Sequence, residues 1–323
     1  MPAAPPAPST NLATPMANPE IRFDPSFIEE AVFLALSAHG ASGNQPTAQA
    51  FHTQRAALYD GPLLAETREA AFRQLALRYF HTLGLAQLFT QRFEEFPLLA
   101  AHVGVATVRR VWSRKEERVE LYRQSGGEAS TTLVVDLQVI RCLAREAMVS
   151  FLRHELMHIC DMLDPVFAYE PHPELGGEYE LENDLIRERF RLLWDLCVEG
   201  RMRRRDWQTV VEEPIRRREF ERIFAPWEPQ RREVIWRDLS GRGNWTQREL
   251  LELARDERLT RMLGQGGIRC PLCHFPTREG VCDWSGERAV VAEAIHTDYP
   301  TWQPSHGACL QCVELYRSRL QLA

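Results

Sequence analysis

The sequence holds one short motif whose residue types and spacing could do chemistry, His154-Glu155-Leu156-Met157-His158. In a helix, residues four apart lie one turn from each other on the same face, so both imidazoles can reach one metal ion. Zinc binds imidazole nitrogens in tetrahedral sites, and a carboxylate beside such a site can take a proton from water. The motif therefore predicts a catalytic Zn²⁺ held by His154 and His158, with Glu155 as the general base.

Such a site needs a third protein ligand, and three acidic residues are candidates. Asp195 stands in the apolar helical segment 192–198, where an unpaired ionised carboxylate would cost several kcal/mol. Binding to a metal removes that cost, and so does an ion pair with an arginine, so both interpretations stay open. Glu199 follows one helical turn later, and Asp164 follows the second histidine of the motif by six residues. We rank the three as ligands in the order Asp195, Glu199, Asp164.

A second group of metal-binding residue types lies near the end of the sequence, in two C-x-x-C pairs, Cys270/Cys273 and Cys309/Cys312. Each pair presents two thiolates, and two pairs complete a tetrahedral zinc site. Four cysteines leave no coordination position open, so this site is predicted to be structural. Three further residues of the tail are spare ligands that could replace one cysteine: Cys282, His274 and His306.

The elements that must position these residues follow from the hydrophobic periodicity. Helical patterns fill the first third of the chain, at 24–40, 64–82 and 85–100. Runs rich in β-branched residues at 105–111, 118–122 and 132–137 predict a small antiparallel sheet. Long helices over 142–163 and 180–205 then carry the histidine motif and Asp195, and shorter helices follow at 215–224, 228–239 and 246–262. The motif helix thus comes directly after a strand.

This order, a strand that leads into a helix with H-E-x-x-H, resembles the zincin metallopeptidases over roughly residues 105–205. Gluzincins place a ligating carboxylate and, four residues later, a second carboxylate that orients a ligating histidine. By that resemblance Asp195 binds zinc and Glu199 hydrogen-bonds an imidazole N–H. Because the first carboxylate is Asp and not the Glu of gluzincins, the two roles are exchangeable.

The cysteine tail adds a second resemblance. An H-E-x-x-H domain followed by a four-cysteine zinc ribbon is similar to the organisation of SprT-like proteins. Those proteins carry a third histidine shortly after the motif, which is absent here, and a shorter spacing between the cysteine pairs. The resemblance therefore concerns the order of the two parts, and we take no substrate from it.

These patterns place the chain in the α+β class, as a mainly helical zincin-like core with a small antiparallel sheet and a zinc-ribbon-like C-terminal domain. The predicted organisation has four parts. They are a disordered Pro/Ala-rich tail at 1–20, an N-terminal helical layer at 21–100, the zincin-like core at 101–263 and the Cys₄ domain at 264–323, with a hinge at Gly264, Gly266 and Gly267.

The amino-acid composition limits the classes of function that are possible. The 323 residues are 44% hydrophobic and 26% charged, which is typical of globular proteins. The sequence contains neither a run of about 18 apolar residues nor a signal peptide, so we expect a cytoplasmic protein without a membrane partner. The net charge of −6 argues against a general polyanion binder. The basic runs Arg201–Arg205 and Arg216–Arg218 predict solvated helix faces rather than nucleic-acid contacts.

The sequence therefore predicts a zinc-dependent metallopeptidase that acts on a protein or peptide substrate and holds two zinc ions, one catalytic and one structural. The alternative is a non-catalytic zinc-binding scaffold that binds protein or nucleic acid, with the first zinc purely structural. Glu155 favours the enzyme, because a structural site has no need of that carboxylate.

Overall fold

The computed structural model describes residues 18–39, 45–61, 64–123, 131–177, 180–256, 268–277, 280–281, 283–286 and 288–321. It divides into two compact units. The first comprises the described residues up to Pro173 together with Leu192–Arg217 and Arg237–Leu250. The second comprises Glu174–Arg191, Arg218–Trp236 and the described residues from Leu251 onward. Residues 1–17 of the predicted tail, the three predicted hinge glycines and Cys282 lie outside the described residues.

The first unit is built on a four-stranded mixed sheet in the order β1-β2-β4-β3. The strands are β1 Glu20–Phe23, β2 Val105–Arg110, β3 Arg118–Arg123 and β4 Thr131–Leu137. Strand β2 pairs in parallel with both β1 and β4, while β3 pairs with β4 antiparallel. The prediction of an antiparallel sheet is therefore wrong for β2. Strand β3 lies at the edge of the described sheet, and β4, which follows it in the sequence, lies between β2 and β3. The composition of the strands does not determine this order.

Five helices of this unit lie between β1 and β2 in the described sequence: α1 Pro25–His39, α2 Gln45–Asp60, α3 Ala65–Thr82, α4 Leu85–Glu94 and α5 Pro97–His102. The helix predicted over 85–100 is broken at Phe96, because Pro97 has no N–H and disfavours helical backbone in the residue before it. The sequence pattern does not predict helix α2. Its sequence is polar, and Phe51 is its buried residue.

An aromatic cluster fixes these helices to the start of β1 and α1. The ring centroid of Phe23 lies 4.9 Å from that of Phe80 and 5.1 Å from that of Phe89. Phe27 contributes a further edge-on contact with Phe89 at 5.9 Å. Edge-to-face rings at these separations are the favoured arrangement for aromatic pairs in a core. The N-terminal helices therefore belong to the same hydrophobic core as the sheet.

Two long helices carry the predicted site. Helix α6 spans Arg145–Leu163 and follows a short 3₁₀ helix, Val139–Leu143. Its buried stripe, at helical steps of four, four and three, consists of Met148, Leu152, Leu156 and Ile159, each at most 1% exposed. Helix α7 spans Glu180–Arg203, and its apolar segment 192–198 is buried on nearly all sides. The buried apolar side chains of each helix therefore hold it in the core and so position its polar site residues.

The remaining helices before the tail are α8 Glu213–Ile223, α9 Pro229–Gly241 and α10 Gln247–Ala254. In the tail, β5 Ile268–Arg269 pairs with β6 Pro276–Thr277, and β7 Gly280–Val281 pairs with β8 Ala308–Cys309, both antiparallel. Helices α11 Arg288–Asp298 and α12 Leu310–Gln321 pack around a small core that includes Ile295, Trp302 and Val313. Every helix in the described ranges is too short or too polar to cross a bilayer.

Candidate metal centres

Three of the predicted site residues meet between α6 and α7. The Nε2 atom of His158 lies 3.2 Å from Oδ1 of Asp195, and the Nε2 atom of His154 lies 3.8 Å from the same oxygen. One ligand atom from each of the three residues falls within 4.8 Å of the others. Two imidazole nitrogens and one carboxylate oxygen therefore converge on a common point, where they could hold a metal ion.

One unpaired ring nitrogen, Nε2 of His154, supports the fit of a metal to this group. Nε2 of His154 and Nδ1 of His158 are buried and make no hydrogen bond in the structure. Buried polar atoms are normally paired, so each needs an explanation. For His154 the unpaired nitrogen faces Asp195, which is the direction in which an ion shared by the three residues would lie. Two imidazoles and one carboxylate form a donor set that suits Zn²⁺ and leaves a position for solvent.

The charges in the site favour an ionised carboxylate. Burial alone would raise the pKa of Asp195, but the hydrogen bond with His158 and the charges of His158, His154 and Arg216 together lower it. Burial likewise lowers the pKa of His154, yet the hydrogen bond with Glu155 and the nearby carboxylate charges raise it above its ordinary value. The histidines and Arg216 thus stabilise the ionised form of Asp195, and the nearby carboxylates stabilise the protonated form of His154.

Glu199 and Asp164, the other two candidate ligands, are engaged elsewhere. Glu199 is fully buried and accepts hydrogen bonds from the Nε and Nη2 atoms of Arg216, the shortest at 2.7 Å. It thus bonds an arginine, where the family resemblance implied an imidazole. Burial raises the pKa of Glu199 despite the opposing effect of Arg216. Asp164 ends α6 and accepts the backbone N–H of Val166 at 2.8 Å.

Glu155 lies next to the first ligand rather than in the ligand group. Its Oε1 atom is 3.2 Å from Nδ1 of His154, and its side chain is 27% exposed. The carboxylate is therefore partly accessible to water, and it contacts the ring nitrogen of His154 other than the Nε2 that faces Asp195. The general-base role of Glu155 stays a prediction of the motif.

A second buried network supports His158 from the other side. The indole of Trp194 packs edge-on against the imidazole of His158, with ring centroids 4.5 Å apart. Trp194 donates its Nε1–H to Asp161 at 2.6 Å, and Asp161 also receives two hydrogen bonds from Arg201, at 2.6 and 2.5 Å. Asp161 therefore bonds the indole whose ring contacts His158. A cavity of about 250 Å³ beside this network is lined by Asp161, Arg201, Phe167 and Trp245 among others.

The two basic runs differ from the solvated helix faces that the sequence predicted. Arg216 is 7% exposed and bonded to Glu199, and Arg201 is paired with the buried Asp161. The prediction is wrong for these two residues because buried carboxylates on α6 and α7 draw their guanidinium groups inward. A sequence signal for Arg216 did exist, since a carboxylate in an apolar helix requires a cationic partner or a metal.

The four predicted cysteines of the tail also come together. Sγ of Cys270 lies 3.8 Å from Sγ of Cys312, and Sγ of Cys273 lies 3.7 Å from that of Cys309. All four sulfurs fall within 4.8 Å of one another, a spacing that could hold a metal ion. Burial raises the pKa of Cys270, but hydrogen bonds from the backbone of Cys273, Cys309 and Leu272 outweigh it and lower the pKa to about 7. A thiol of this acidity is a ready metal ligand.

The spare ligands of the tail play other parts where they are described. His274 is exposed and has a positive φ of 57°, as the turn after Cys273 requires. Nδ1 of His306 accepts the backbone N–H of Gln303 at 3.2 Å. Cys282 lies outside the described residues. The described ligand group consists of the four cysteines alone.

Comparison with known proteins yields no relative. No family model, no curated protein and no solved structure matches the chain. The zincin-like core and the zinc ribbon therefore stay predictions based on the motifs. What the structure adds is the geometry of two groups of residues that could each hold a metal ion.

Proposed function

We propose that this protein is a zinc-dependent peptidase whose active site is the group His154, His158 and Asp195 on α6 and α7. The observation that carries the proposal is the convergence of both Nε2 atoms on Oδ1 of Asp195, at 3.8 and 3.2 Å. Glu155 stands beside this group with an accessible carboxylate. Three protein ligands and an adjacent acid are the composition of a catalytic zinc site, whereas structural sites use four protein ligands.

In this mechanism His154, His158 and Asp195 would hold the ion. Bound zinc supplies Lewis acidity, which polarises a carbonyl and lowers the pKa of water to about 7. Glu155 orients the attacking water, accepts its proton on a carboxylate oxygen and passes that proton to the leaving amine. The hydrogen bond between Glu155 and Nδ1 of His154 keeps this carboxylate beside the ligands.

An edge strand near α6 supports a peptide as substrate. Strand β3 packs against α6 and lies at one edge of the described sheet, since β4 is its strand partner there. Such an edge presents main-chain N–H and C=O groups to which an extended peptide can add as a further strand. Helix α6, which carries both histidines of the proposed site, therefore packs against strand β3, to whose edge a peptide substrate can add.

Metal content and cleavage, measured on the same samples, test the proposal. The wild-type protein should hold two zinc ions, one for each ligand group, and should cleave unfolded protein substrates until a chelator is added. Glu155→Gln should keep both ions and lose cleavage. Asp195→Ala should hold one ion, while the matched control Asp164→Ala should hold two. Unchanged cleavage by Glu155→Gln would overturn the mechanism, and two ions in Asp195→Ala would remove Asp195 as a ligand.

One observation favours a second candidate, a scaffold that, unlike the non-catalytic alternative above, holds no zinc at the histidine site. Nη2 of Arg216 lies 3.5 Å from Oδ2 of Asp195, so the carboxylate already has a cationic partner without any metal. If Asp195 serves only as the partner of Arg216, the histidine site binds no zinc and the unit that contains it is a scaffold. The same metal analysis separates the two, because the scaffold without this site holds one ion, in the cysteine group, in wild type and Asp195→Ala alike.

A further inference from the structure

The two carboxylate oxygens of Asp195 face different partners. Oδ1 faces the histidines, at 3.2 Å from Nε2 of His158 and 3.8 Å from Nε2 of His154. Oδ2 faces Nη2 of Arg216 at 3.5 Å. A carboxylate can offer a metal either one oxygen or both. In this arrangement the oxygen turned away from the histidines lies next to a fixed positive charge.

Arg216 is itself held in one orientation by Glu199. Its Nε atom lies 3.1 Å from each oxygen of Glu199, and its Nη2 atom donates to Oε1 at 2.7 Å. The side chain of Arg216 is 9% exposed and that of Glu199 is fully buried. Because a guanidinium is planar and its N–H groups are rigidly placed, this pairing fixes the direction in which Nη2 points.

The backbone explains why one arginine reaches both acids. Asp195 and Glu199 lie one turn apart on α7, and Arg216 comes from α8. Nη2 is the atom that lies near both carboxylates, at 2.7 Å from Glu199 and 3.5 Å from Asp195. The order Glu199, Arg216, Asp195 is therefore a chain of contacts that ends at the proposed metal ligand.

We propose that Glu199 and Arg216 are positioning residues that restrict Asp195 to binding the metal through Oδ1 alone, which keeps a coordination position free for water or substrate. This inference rests on the proposed zinc site. It assigns to Glu199 a role through the carboxylate ligand, different from the bond to an imidazole that the resemblance implied. Groups that orient metal ligands in this way typically change metal affinity about 10- to 100-fold when they are removed.

The variants must avoid leaving a charge buried alone, because breaking one half of a buried ion pair is strongly destabilising. The double variant Glu199→Leu/Arg216→Met removes both charges at similar volume, an exchange that buried pairs often tolerate. Arg216→Lys keeps the positive charge but loses the fork of donors. The matched control is Glu117→Leu/Arg141→Met, since that bidentate pair, at 2.7 and 2.6 Å, lies in the same unit and includes none of the proposed site residues.

The measurement is the visible absorption spectrum of the protein loaded with Co²⁺. This absorption weakens when the coordination number of the Co²⁺ ion rises above four. The spectrum of Asp195→Ala, which keeps the cysteine site, is subtracted from each. We expect the double variant and Arg216→Lys to show weaker absorption and about 10- to 100-fold weaker Co²⁺ binding than wild type. The control pair should match wild type in both.

Two results would overturn the inference, and they have different consequences. If the double variant has the wild-type spectrum and affinity, Glu199 and Arg216 are a structural ion pair, while the proposed zinc site stands. If wild type minus Asp195→Ala leaves no Co²⁺ signal, the proposed site fails and the inference fails with it. Cleavage activity is not needed for either conclusion.

Discussion

The indole ring of Trp194 lies edge-on against the imidazole of His158, with ring centroids 4.5 Å apart at an interplanar angle of 87°. Trp194 is 8% exposed and comes from the same turn of α7 as Asp195. One helix therefore supplies both the carboxylate that faces His158 and the ring that limits its rotation. Removing the ring should affect the site in a different way from removing the indole hydrogen bond.

We predict that Trp194→Ala lowers both stability and zinc affinity, whereas Trp194→Phe changes zinc affinity little. Truncating a buried tryptophan costs about 3–5 kcal/mol and frees His158 to change rotamer. Phenylalanine keeps a ring against the imidazole and loses the bond to Asp161, which Arg201 still pairs. Urea unfolding and zinc titration on both variants measure the two effects. Equal zinc affinities for Ala and Phe would show that the ring does not position the histidine.

The thiols of Cys142, which is buried, and Cys160, which is half-buried, give a prediction of pH dependence. Burial raises the pKa of Cys142 to about 12 and that of Cys160 to about 12, against about 8.5 for a free thiol. A raised pKa means less thiolate, so at pH 8 only about one thiol in ten thousand is ionised, compared with about a quarter for a free thiol. Alkylation of both residues in the folded protein should therefore be slow at pH 8 and become faster only as the pH approaches 12.

Mass spectrometry that quantifies iodoacetamide labelling at each cysteine checks this. Protein unfolded in urea serves as the control, since both residues should then react as ordinary thiols. If Cys142 in the folded protein is labelled at pH 8 as fast as in the unfolded protein, its thiol is not buried.

In the cysteine tail, removal of the metal should make the thiols react faster with the alkylating agent, in contrast to the slow alkylation of Cys142 and Cys160. Because the pKa of Cys270 is about 7, this thiol is mostly ionised at pH 8 once no metal holds it. We expect zinc to protect Cys270, Cys273, Cys309 and Cys312 from alkylation. After a chelator removes the metal, Cys270 should react before Cys273 and Cys312, because burial and the neighbouring thiols raise the pKa of those two. Cys142 is the internal control, because its slow labelling comes from burial and should not change with the chelator. Labelling of the four cysteines without a chelator would argue against a metal in the tail.

The sequence predicts the local parts of this structure well and its long-range pairings poorly. The motif helix, the preceding strand and the helix with Asp195 follow from periodicity, so the convergence of His154, His158 and Asp195 could be anticipated from residue spacing and from the cost of a buried carboxylate. Strand β1 was missed because four residues, E-I-R-F, next to a Pro/Ala-rich segment carry little strand signal. Its parallel pairing with β2 joins residues about 85 positions apart, which no local pattern encodes.

The role of Arg216 was hidden for the same reason. Within R-R-R at 216–218 the three arginines look alike, and only the tertiary structure distinguishes the one that faces Glu199. The requirement for a partner could be predicted from Asp195 and Glu199, whereas the identity of that partner could not. Sequence reasoning thus identifies which buried charges need an explanation, and the structure shows which residue satisfies them.

A glycine next to Glu199 gives the last prediction. A Cβ atom at Gly200 would lie 2.6 Å from the carbonyl oxygen of Ser240 and 2.8 Å from its Cα atom, both backbone atoms at the end of α9. Backbone cannot rotate away as a side chain can, so Gly200→Ala must push α7 and the end of α9 apart. Overpacking of this kind costs about 1–3 kcal/mol, which should appear as a lower midpoint in urea unfolding.

Gly241→Ala is the matched control, because a Cβ atom there meets nothing within 4 Å and the residue follows Ser240 directly. It should leave the unfolding midpoint unchanged or raise it slightly, since alanine restricts the unfolded chain. Because Gly200 adjoins Glu199, the displacement in Gly200→Ala should also weaken zinc binding at the histidine site, while Gly241→Ala should not. Equal midpoints for the two variants would mean that α7 and α9 do not approach as closely as the structure places them.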